Sequence, residues 1–329
     1  MAGHLSWFVA GLVGLIIGAE MLVRGGSRVA GSLGISPIIV GLTVVSIGTS
    51  MPELAVGVLA AAEGSGTLAV GNIAGTNTFN LLFILGLSAA IKPLSIPGRT
   101  LRFDLPAMTA AAILLWVLAA DGVLSRIDGV VLVSAAVMYS AALIYTGRRE
   151  SRQLRDEFVA EFSEDVPAPA RLRSRRAKLA WNTGLLLVGI AIVVIGADWL
   201  VDGAVGIAGE FGVSDAFIGL TVVAIGTSAP ELVTTVVATL RGQRDIALGN
   251  LLGSSIYNIV LILGVTVLVP AGGLHLGPDL VRIDIPVMVV VVLLCIPVFV
   301  TGRRVTRAEG ASMVAAYLAY LTFLLMTQL

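Results

Sequence analysis

The stretch GLTVVSIGTSMPEL at residues 41–54 returns as GLTVVAIGTSAPEL at residues 219–232. When residues 41–90 are aligned with residues 219–268 without a gap, about 23 of the 50 positions are identical. Upstream, Gly18-Ala19-Glu20 matches Gly196-Ala197-Asp198 at the same offset. Self-similarity of this length at one fixed offset is the signature of an internal repeat. The chain is therefore a duplicated sequence.

The composition is that of a membrane protein. Of the 329 residues, 57% are hydrophobic and 13% are charged, against about 45–50% and about 25% in soluble domains. This balance excludes a soluble globular enzyme. Basic and acidic residues number 21 each, so no excess of charge indicates a nucleic-acid partner. The single cysteine, Cys295, lies in an apolar stretch, where we interpret it as buried packing.

Ten apolar stretches are long enough to cross a bilayer, which takes about 20 helical residues. Their predicted limits are 5–23, 35–62, 67–91, 104–120, 127–147, 180–201, 213–240, 245–269, 281–301 and 311–328. No basic segment precedes the first stretch, which indicates a membrane span rather than a cleavable signal peptide. We predict an all-α integral membrane protein with ten transmembrane helices.

The distribution of basic residues predicts how the chain is oriented. The most hydrophilic segment, 148–178, contains nine of the lysines and arginines. If it is a cytoplasmic linker between ten spans, 19 of the 21 basic residues fall in cytoplasmic loops, as positively charged loops in membrane proteins do. Arg24 and Arg28 are among them, in a loop after the first span. This predicts a multi-pass protein of the cell membrane with both termini outside the cytoplasm.

The repeat and the span count together predict an inverted architecture. The first five spans occupy residues 1–147, with the repeated motif at 41–90, and the second five occupy 179–329, with the motif at 219–268. Because five is odd, the second copy enters the membrane from the opposite side. Two inverted five-helix repeats are typical of secondary transporters, whose substrate sites lie near the bilayer midplane.

The repeated motif contains a proline and a glutamate inside a predicted span. Pro52 and Pro230 each interrupt the helical hydrogen bonds and free a carbonyl nearby. A charged carboxylate at this depth costs at least about 2.5–3.5 kcal/mol, so Glu53 and Glu231 require a cation. No lysine or arginine lies inside these spans to pair with them. The alternative is two protonated acids that are hydrogen-bonded to neighbouring backbone.

The following spans add neutral oxygens. Thr76 and Asn80 are four residues apart, as are Ser254 and Asn258, so each pair lies on one helix face. The nearby glycines are interpreted as helix packing. Carboxylate, hydroxyl, amide and backbone oxygens without histidine or cysteine favour a hard cation. Ca²⁺ fits best, since it accepts about 6–8 oxygen ligands in flexible geometry, whereas Mg²⁺ demands a tighter octahedron.

These motifs resemble those of the sodium/calcium exchanger family, of prokaryotic type, in the cation/calcium antiporter superfamily. That family carries G-T-S-x-P-E on one helix and G-N-x-x-G-[ST]-x-x-x-[ND] on the next, and both occur twice here. The resemblance covers the chain except for its central linker. It implies an electrogenic antiporter in which several Na⁺ ions expel one Ca²⁺, with no cofactor and with the two ions and the lipid bilayer as partners.

The resemblance also implies a role for each matching residue. Glu53 and Glu231 would ligate Ca²⁺ and share Na⁺ sites. Backbone carbonyls would come from Thr49, Thr227, Ser46 and Ala224. Flanking sodium sites would use Ser50, Ser228, Thr76 and Ser254, and Asn80 and Asn258 would line the centre. Prokaryotic relatives often have aspartate at one of these asparagines, and serine is commoner than Thr76, which leaves stoichiometry and K⁺ or H⁺ coupling open.

The mechanism implied is alternating access, in which the first and sixth spans move against a core of the second, third, seventh and eighth. The closest rival is a Ca²⁺/H⁺ or K⁺-coupled antiporter. A cation channel would show passive flux, and a non-transporting scaffold would show none. Glu20 and Asp198 are repeat equivalents that could guide ions or be solvated acids at span ends. The sequence leaves the oligomeric state open, with a monomer as one alternative.

Overall fold

The computed structural model of the chain describes residues 2–147, 175–210 and 224–328, and these residues are mostly helical. Most of the predicted linker, 148–178, lies outside the described residues, as does the start of the predicted seventh span, 213–240. In the first half the helices are α1 (Ala2–Leu33), α2 (Pro37–Val40), α3 (Ser46–Thr49), α4 (Met51–Ala62), α5 (Gly66–Thr78), α6 (Leu85–Ile91), α7 (Leu105–Leu118) and α8 (Arg126–Gly147). In the second half they are α9 (Arg175–Glu210), α10 (Ala224–Thr227), α11 (Ala229–Leu240), α12 (Arg244–Tyr257), α13 (Gly264–Leu268), α14 (Ile285–Val300) and α15 (Arg307–Gln328).

Wider π-helical turns and very short strands complete the fold. The π-helical segments are Gly41–Val45, Phe79–Ile84, Thr100–Asp104, Asn258–Leu263 and Leu280–Asp284. Strand β1 (Leu94–Ser95) pairs antiparallel with β4 (Arg304–Val305), and β2 (Val123–Leu124) pairs antiparallel with β3 (Leu274–His275). Because most of these segments recur at nearly the same offset, the duplication of the sequence is also visible in its local structure.

Proline positions explain where several helices begin. The prolines in the first turns of α2, α4, α7, α11 and α14 are Pro37, Pro52, Pro106, Pro230 and Pro286. The first backbone N–H groups of a helix have no partner within it, so proline costs little there and its fixed φ suits the first turn. Pro52 and Pro230 therefore start new helices inside apolar stretches. Pro106 and Pro286 instead follow π-helical segments within the longer helices Thr100–Leu118 and Leu280–Arg303.

Seven described helices are long and apolar enough to cross a membrane, which makes this a multi-pass membrane protein. They are Gly3–Leu33, Gly66–Ile91, Thr100–Leu118, Arg126–Thr146, Ala177–Ile207, Arg244–Leu268 and Leu280–Arg303. The pair Pro37–Thr49 and Met51–Ala62 gives an eighth if it is one broken span. Ala229–Leu240 is shorter than a span, and 213–223 lies outside the described residues. Ten spans therefore stays a prediction.

The first helix is longer than expected. We predicted a span at 5–23 followed by a loop with Arg24 and Arg28, but both arginines lie in α1, which continues to Leu33. The loop assignment for these two residues is wrong. Arg24 pairs with the carboxylate of Glu20 one turn earlier, so the arginine is accommodated within the helix.

The chain forms two compact units. The first unit contains Met1–Thr49 and Met138–Gly253, and the second contains Ser50–Val137 and Ser254–Leu329. Each unit takes helices from both halves of the sequence. The repeat boundaries at 1–147 and 179–329 divide the chain by sequence origin, and they stay a prediction.

In the first unit, α1 and α9 pack closely through glycines from both helices. A Cβ atom on Gly18 would lie 2.8 Å from the backbone nitrogen of Val193, and one on Gly196 would lie 2.8 Å from that of Leu15. Gly18 and Gly196 are repeat equivalents. The interface continues into a core with Leu22 and other buried aliphatic side chains. Backbones approach so closely only because no side chain intervenes.

Alanine at Gly189 on α9 should therefore destabilise the protein. Its Cβ would lie 2.5 Å from the backbone nitrogen of Leu22, and the strain should lower the free energy of unfolding by about 1–3 kcal/mol. Gly184 on the same helix is the matched control, because it is exposed and a Cβ there meets no described atom within 4 Å. Thermal unfolding in detergent checks both variants. Equal melting temperatures for Gly189→Ala and Gly184→Ala would contradict the packing argument.

In the second unit, helices from both halves of the sequence pack against one another. A Cβ on Gly86 of α6 would lie 2.7 Å from the carbonyl oxygen of Gly310 on α15. Phe79 stacks on Phe83 with ring centroids 5.0 Å apart, and Tyr317 from α15 packs against Phe79 at 5.1 Å. These contacts surround the π-helical segment Phe79–Ile84, so they hold the polar residues at its start in a defined orientation.

Candidate ion-binding site

The predicted interruption of the second span is confirmed. Helix α3 ends at Thr49, Ser50 has φ −84° and ψ 11°, and α4 begins at Met51 with Pro52 in its first turn. Glu53 also lies in this first turn and is fully buried. A carboxylate at a helix N-terminus is favoured by the unsatisfied N–H groups and by the helix dipole. The break therefore presents a buried acid where the backbone stabilises its charged form.

The same local structure recurs in the second repeat. Helix α10 ends at Thr227, Ser228 has φ −88° and ψ 5°, and α11 begins at Ala229 with Pro230 following. Glu231 lies in the first turn of α11 and is fully buried. Ala224, predicted to offer a backbone carbonyl, is the first residue of α10.

The remaining predicted ligands are buried in the two units. Ser46, Thr49, Thr227, Ser228, Ala224 and Glu231 belong to the first unit, and Ser50, Glu53, Thr76, Asn80, Ser254 and Asn258 belong to the second. All of these side chains except that of Ala224, which is not described, have at most 8% of their surface exposed. Apolar spans that bury so many oxygens must satisfy them with hydrogen bonds or with a cation.

The asparagine side chains of the second unit provide amide oxygens. Asn80 is the second residue of the π-helical segment Phe79–Ile84, and Asn258 begins the segment Asn258–Leu263. Within the described part of the chain, neither amide atom of Asn80 has a hydrogen-bond partner, and nor does Oδ1 of Asn258. Both side chains are fully buried. Such oxygens can ligate a hard cation.

Asn77 contacts the predicted ligand Asn258 and was not singled out from the sequence. Its Nδ2 donates to the backbone oxygen of Ser255 at 3.1 Å, and its Oδ1 accepts from Nδ2 of Asn258 at 3.5 Å. Because Nδ2 of Asn258 is used in this second contact, its Oδ1 is the atom available to an ion. The signal in the sequence was an asparagine within an apolar span, because an amide buried there is costly without hydrogen-bond partners. In the structure Asn77 is fully buried.

In the first unit, α12 contacts the turn before the break. Thr49 Oγ1 donates to Oδ1 of Asn250 at 3.1 Å, and Asn250 Nδ2 donates to Oγ1 of Thr235 at 3.1 Å. Ser46 Oγ lies 3.1 Å from the backbone oxygen of Asn250. The sequence placed Asn250 in the repeated G-N-x-x-G motif without giving it a role, and it did not single out Thr235; both are fully buried.

Glu20 has partners that the sequence did not indicate. Its Oε1 accepts from Nη2 of Arg241 at 2.7 Å, its Oε2 accepts from Nε of Arg241 at 2.8 Å, and Arg24 also pairs with it. Glu20 is therefore an ion-paired residue that links α1 to the end of α11. Its repeat equivalent, Asp198, is exposed on α9 within the candidate span Ala177–Ile207, and its role stays a prediction.

The described residues contain no cluster of three or more histidine, cysteine, aspartate or glutamate side chains that could hold a metal. The candidate ligands are instead two glutamates together with hydroxyl and amide groups. Neutral oxygens with few charges suit ions that must be released after binding, since Ca²⁺ affinity is tuned by the number of charged ligands.

Comparisons with known proteins identify the family of the chain. A family model described as sodium/calcium exchanger protein matches residues 3–145 and 181–326. The sodium/calcium exchanger MaX1 of Methanosarcina acetivorans is 32% identical over 343 residues, covering 95% of this chain and 96% of that protein. Inner membrane protein YrbG of Escherichia coli is 33% identical over 319 residues, covering 96% and 95%.

The fold is also similar to that of a solved exchanger. The sodium-calcium exchanger NCX_Mj soaked with 2.5 mM Na⁺ and 0.1 mM Ca²⁺ matches with a TM-score of 0.81 and 29% identity, covering 97% of both chains. Family model, relatives and fold agree over nearly the whole sequence. The chain belongs to the sodium/calcium exchanger family, which is a family of membrane antiporters rather than of enzymes.

Proposed function

We propose that this protein exchanges several Na⁺ ions for one Ca²⁺ across the membrane by alternating access. The observation that carries the proposal is the repeated local structure at Glu53 and Glu231. Each is a fully buried carboxylate in the first turn of a helix, directly after a break in the preceding helix. Two carboxylates neutralise one Ca²⁺, and the surrounding oxygens are of the type that Ca²⁺ and Na⁺ accept.

We assign the ligands by their local positions. Glu53 and Glu231 ligate Ca²⁺ and contribute to Na⁺ binding. Backbone carbonyls from the turns before the breaks complete the calcium ligands, and serine and threonine hydroxyls serve the sodium ions. The residues in these two groups are Ser46, Thr49, Ala224 and Thr227 for the carbonyls, and Ser50, Thr76, Ser228 and Ser254 for the hydroxyls. Asn80 and Asn258 supply amide oxygens.

Competition for the same glutamates couples the two ions. With either cargo bound, the buried carboxylates are neutralised, whereas empty and charged they oppose movement through the hydrophobic barrier. The carrier without bound ions therefore alternates slowly between the two sides of the membrane. Exchange of one ion for the other is then faster than net leak of either ion. Because several Na⁺ ions carry more charge than one Ca²⁺, each cycle moves net charge, worth about 2.3 kcal/mol per elementary charge at 100 mV.

The proposed architecture is ten transmembrane helices in two inverted five-helix repeats. It is supported by the sequence duplication, by the paired helix breaks and by the close packing of α1 on α9 through glycines. In this arrangement the linker at 148–178 is cytoplasmic and both termini are outside the cytoplasm. Helices α1 and α9, which correspond to the first and sixth spans, move together past the ion-binding helices.

Calcium uptake into proteoliposomes tests the function. Vesicles loaded with Na⁺ and diluted into Na⁺-free buffer should accumulate ⁴⁵Ca²⁺, and an inside-positive potential set with K⁺ and valinomycin should accelerate uptake. Equal gradients of K⁺ or H⁺ without Na⁺ should drive none. Uptake driven by H⁺ alone would establish the Ca²⁺/H⁺ alternative instead. Uptake without any counter-ion would indicate a channel.

A further inference from the structure

Asn250 on α12 joins two other elements of the first unit through its side chain. Its Oδ1 accepts a hydrogen bond from Thr49 Oγ1, and its Nδ2 donates one to Thr235 Oγ1, each at 3.1 Å. All three side chains are fully buried. The amide therefore connects the last residue of α3, directly before the break at Ser50, to α11.

The backbone around Asn250 holds the same turn. Ser46 Oγ donates to Gly41 O at 2.5 Å and lies 3.1 Å from Asn250 O and 3.3 Å from Gly249 O. The approach is close because position 249 is a glycine, where a Cβ would lie 2.6 Å from the carbonyl oxygen of Ile38. The turn at 46–49 is thus docked on residues 249–250 at both of its ends.

The hydrogen bonds around Asn250 are not repeated at the equivalent positions of the duplicated sequence. At the repeat-equivalent positions, Ala224 stands in place of Ser46 and Gly57 in place of Thr235, so the positions around the equivalent asparagine, Asn72, lack both hydroxyls. Asn72 is the equivalent of Asn250, and its amide nitrogen is buried with no hydrogen-bond partner among the described residues. The hydroxyl partners are therefore a specific feature of the turn that precedes Glu53.

We propose that Asn250 is a positioning residue that holds the α3 turn and so orients the Thr49 carbonyl toward the transported ion. The assignment of Thr49 as an ion ligand rests on the proposed function, whereas the holding of the turn does not. Thr49 Oγ1 also lies 3.3 Å from Ser46 O, a longer contact than the 3.1 Å bond to the Asn250 amide. A buried amide network fixes one geometry because leaving any member unpaired is costly.

Four variants test the proposal, and each is studied by hydrogen exchange and by transport kinetics; the fourth, Thr235→Ser, keeps the hydroxyl that Thr235→Val removes. Asn250→Ala removes the network, and Thr235→Val removes only the second hydrogen bond. Thr239→Val is the matched control, because Thr239 lies on the same helix, is fully buried, and has an Oγ1 with no hydrogen-bond partner among the described residues. The measurements are amide hydrogen exchange of peptides covering residues 46–53, and the KM and maximal rate of Na⁺-driven Ca²⁺ uptake.

Asn250→Ala should accelerate exchange of these peptides at least about fivefold and raise the KM for Ca²⁺ about tenfold, with the maximal rate changed less than about twofold. Thr235→Val should show smaller changes in the same direction, Thr235→Ser should restore wild-type values, and Thr239→Val should change neither. If Asn250→Ala does not fold, the comparison of Thr235→Val with Thr239→Val decides whether the hydrogen-bond network of Asn250 holds the α3 turn.

Unchanged hydrogen exchange in Asn250→Ala, or equal effects of Thr235→Val and Thr239→Val, would overturn the proposal whatever the protein transports. A lower melting temperature and maximal rate with an unchanged KM would also overturn it, because that pattern describes a purely structural residue. If the wild-type protein does not exchange Ca²⁺, the proposed function fails, and the hydrogen exchange still decides whether Asn250 holds the turn.

Discussion

Replacing Glu53 by glutamine is expected to lower Na⁺-dependent Ca²⁺ uptake about 100-fold or more. Glutamine has nearly the same shape, so α4 should still begin at Met51 and the protein should remain folded. What is lost is the negative charge that offsets a divalent cation in a buried position. A single unbalanced charge within the bilayer costs at least about 2.5–3.5 kcal/mol, and each 1.4 kcal/mol corresponds to about a factor of ten in affinity.

The control for this variant is Glu63→Gln. Glu63 directly follows the C-terminal end of α4 and is exposed. The same chemical change there should therefore leave uptake and melting temperature at wild-type values. Uptake is measured as ⁴⁵Ca²⁺ accumulation in Na⁺-loaded proteoliposomes. Substantial uptake by Glu53→Gln under conditions in which Glu63→Gln is normal would show that Glu53 does not ligate the ion.

Replacing Glu231 by glutamine is expected to cause a loss of the same size. Glu231 occupies the repeat-equivalent position in the first turn of α11 and is equally buried. If two carboxylates are needed to neutralise one Ca²⁺, the loss of either removes half of the compensating charge. Glu231→Asp keeps the charge on a shorter side chain, so it should raise the KM for Ca²⁺ while retaining measurable exchange.

The same uptake assay checks this prediction, with Glu210→Gln as the control. Glu210 lies at the exposed C-terminal end of α9, and its neutralisation should not change uptake. If Glu231→Gln retains more than about one tenth of wild-type uptake, the two glutamates are not equivalent in charge compensation, and the repeat argument for the ion site fails.

The helix breaks could be predicted from sequence because their cause is local. Pro52 and Pro230 lack the backbone N–H that a continuous helix needs, and the residue after each proline is then fixed in the first turn of a new helix. Glu53 and Glu231 could be identified from sequence as well, because a carboxylate in an apolar span is costly unless a cation or a proton neutralises it.

The hydrogen-bond network around Asn250 could not be predicted in the same way. Thr49 and Asn250 are 201 residues apart in the chain, and no periodicity in the sequence indicates that they meet. The π-helical segment that begins at Phe79 could not be predicted either, because the sequence was interpreted with the spacing of a regular α-helix. The wider π-helical turn shifts the face of the helix on which Asn80 lies. The contact between Thr49 and Asn250 arises from tertiary packing.

The length of α1 was predicted wrongly for a related reason. Charged residues normally mark the end of an apolar span, but Arg24 is paired with Glu20 within the helix, and Glu20 is paired in turn with Arg241. Reading span limits from charge alone ignores pairing between helices. The predicted boundary at residue 23 therefore fell within a helix that continues to Leu33.

The central claim is that Glu53 and Glu231 serve one transported Ca²⁺ for which Na⁺ competes. Equilibrium ⁴⁵Ca²⁺ binding to the purified protein measures this directly. The wild-type protein should bind one Ca²⁺ per chain, excess Na⁺ should displace it, and Glu53→Gln and Glu231→Gln should each bind none. Two Ca²⁺ ions per wild-type chain, with one retained by each single variant, would contradict the claim.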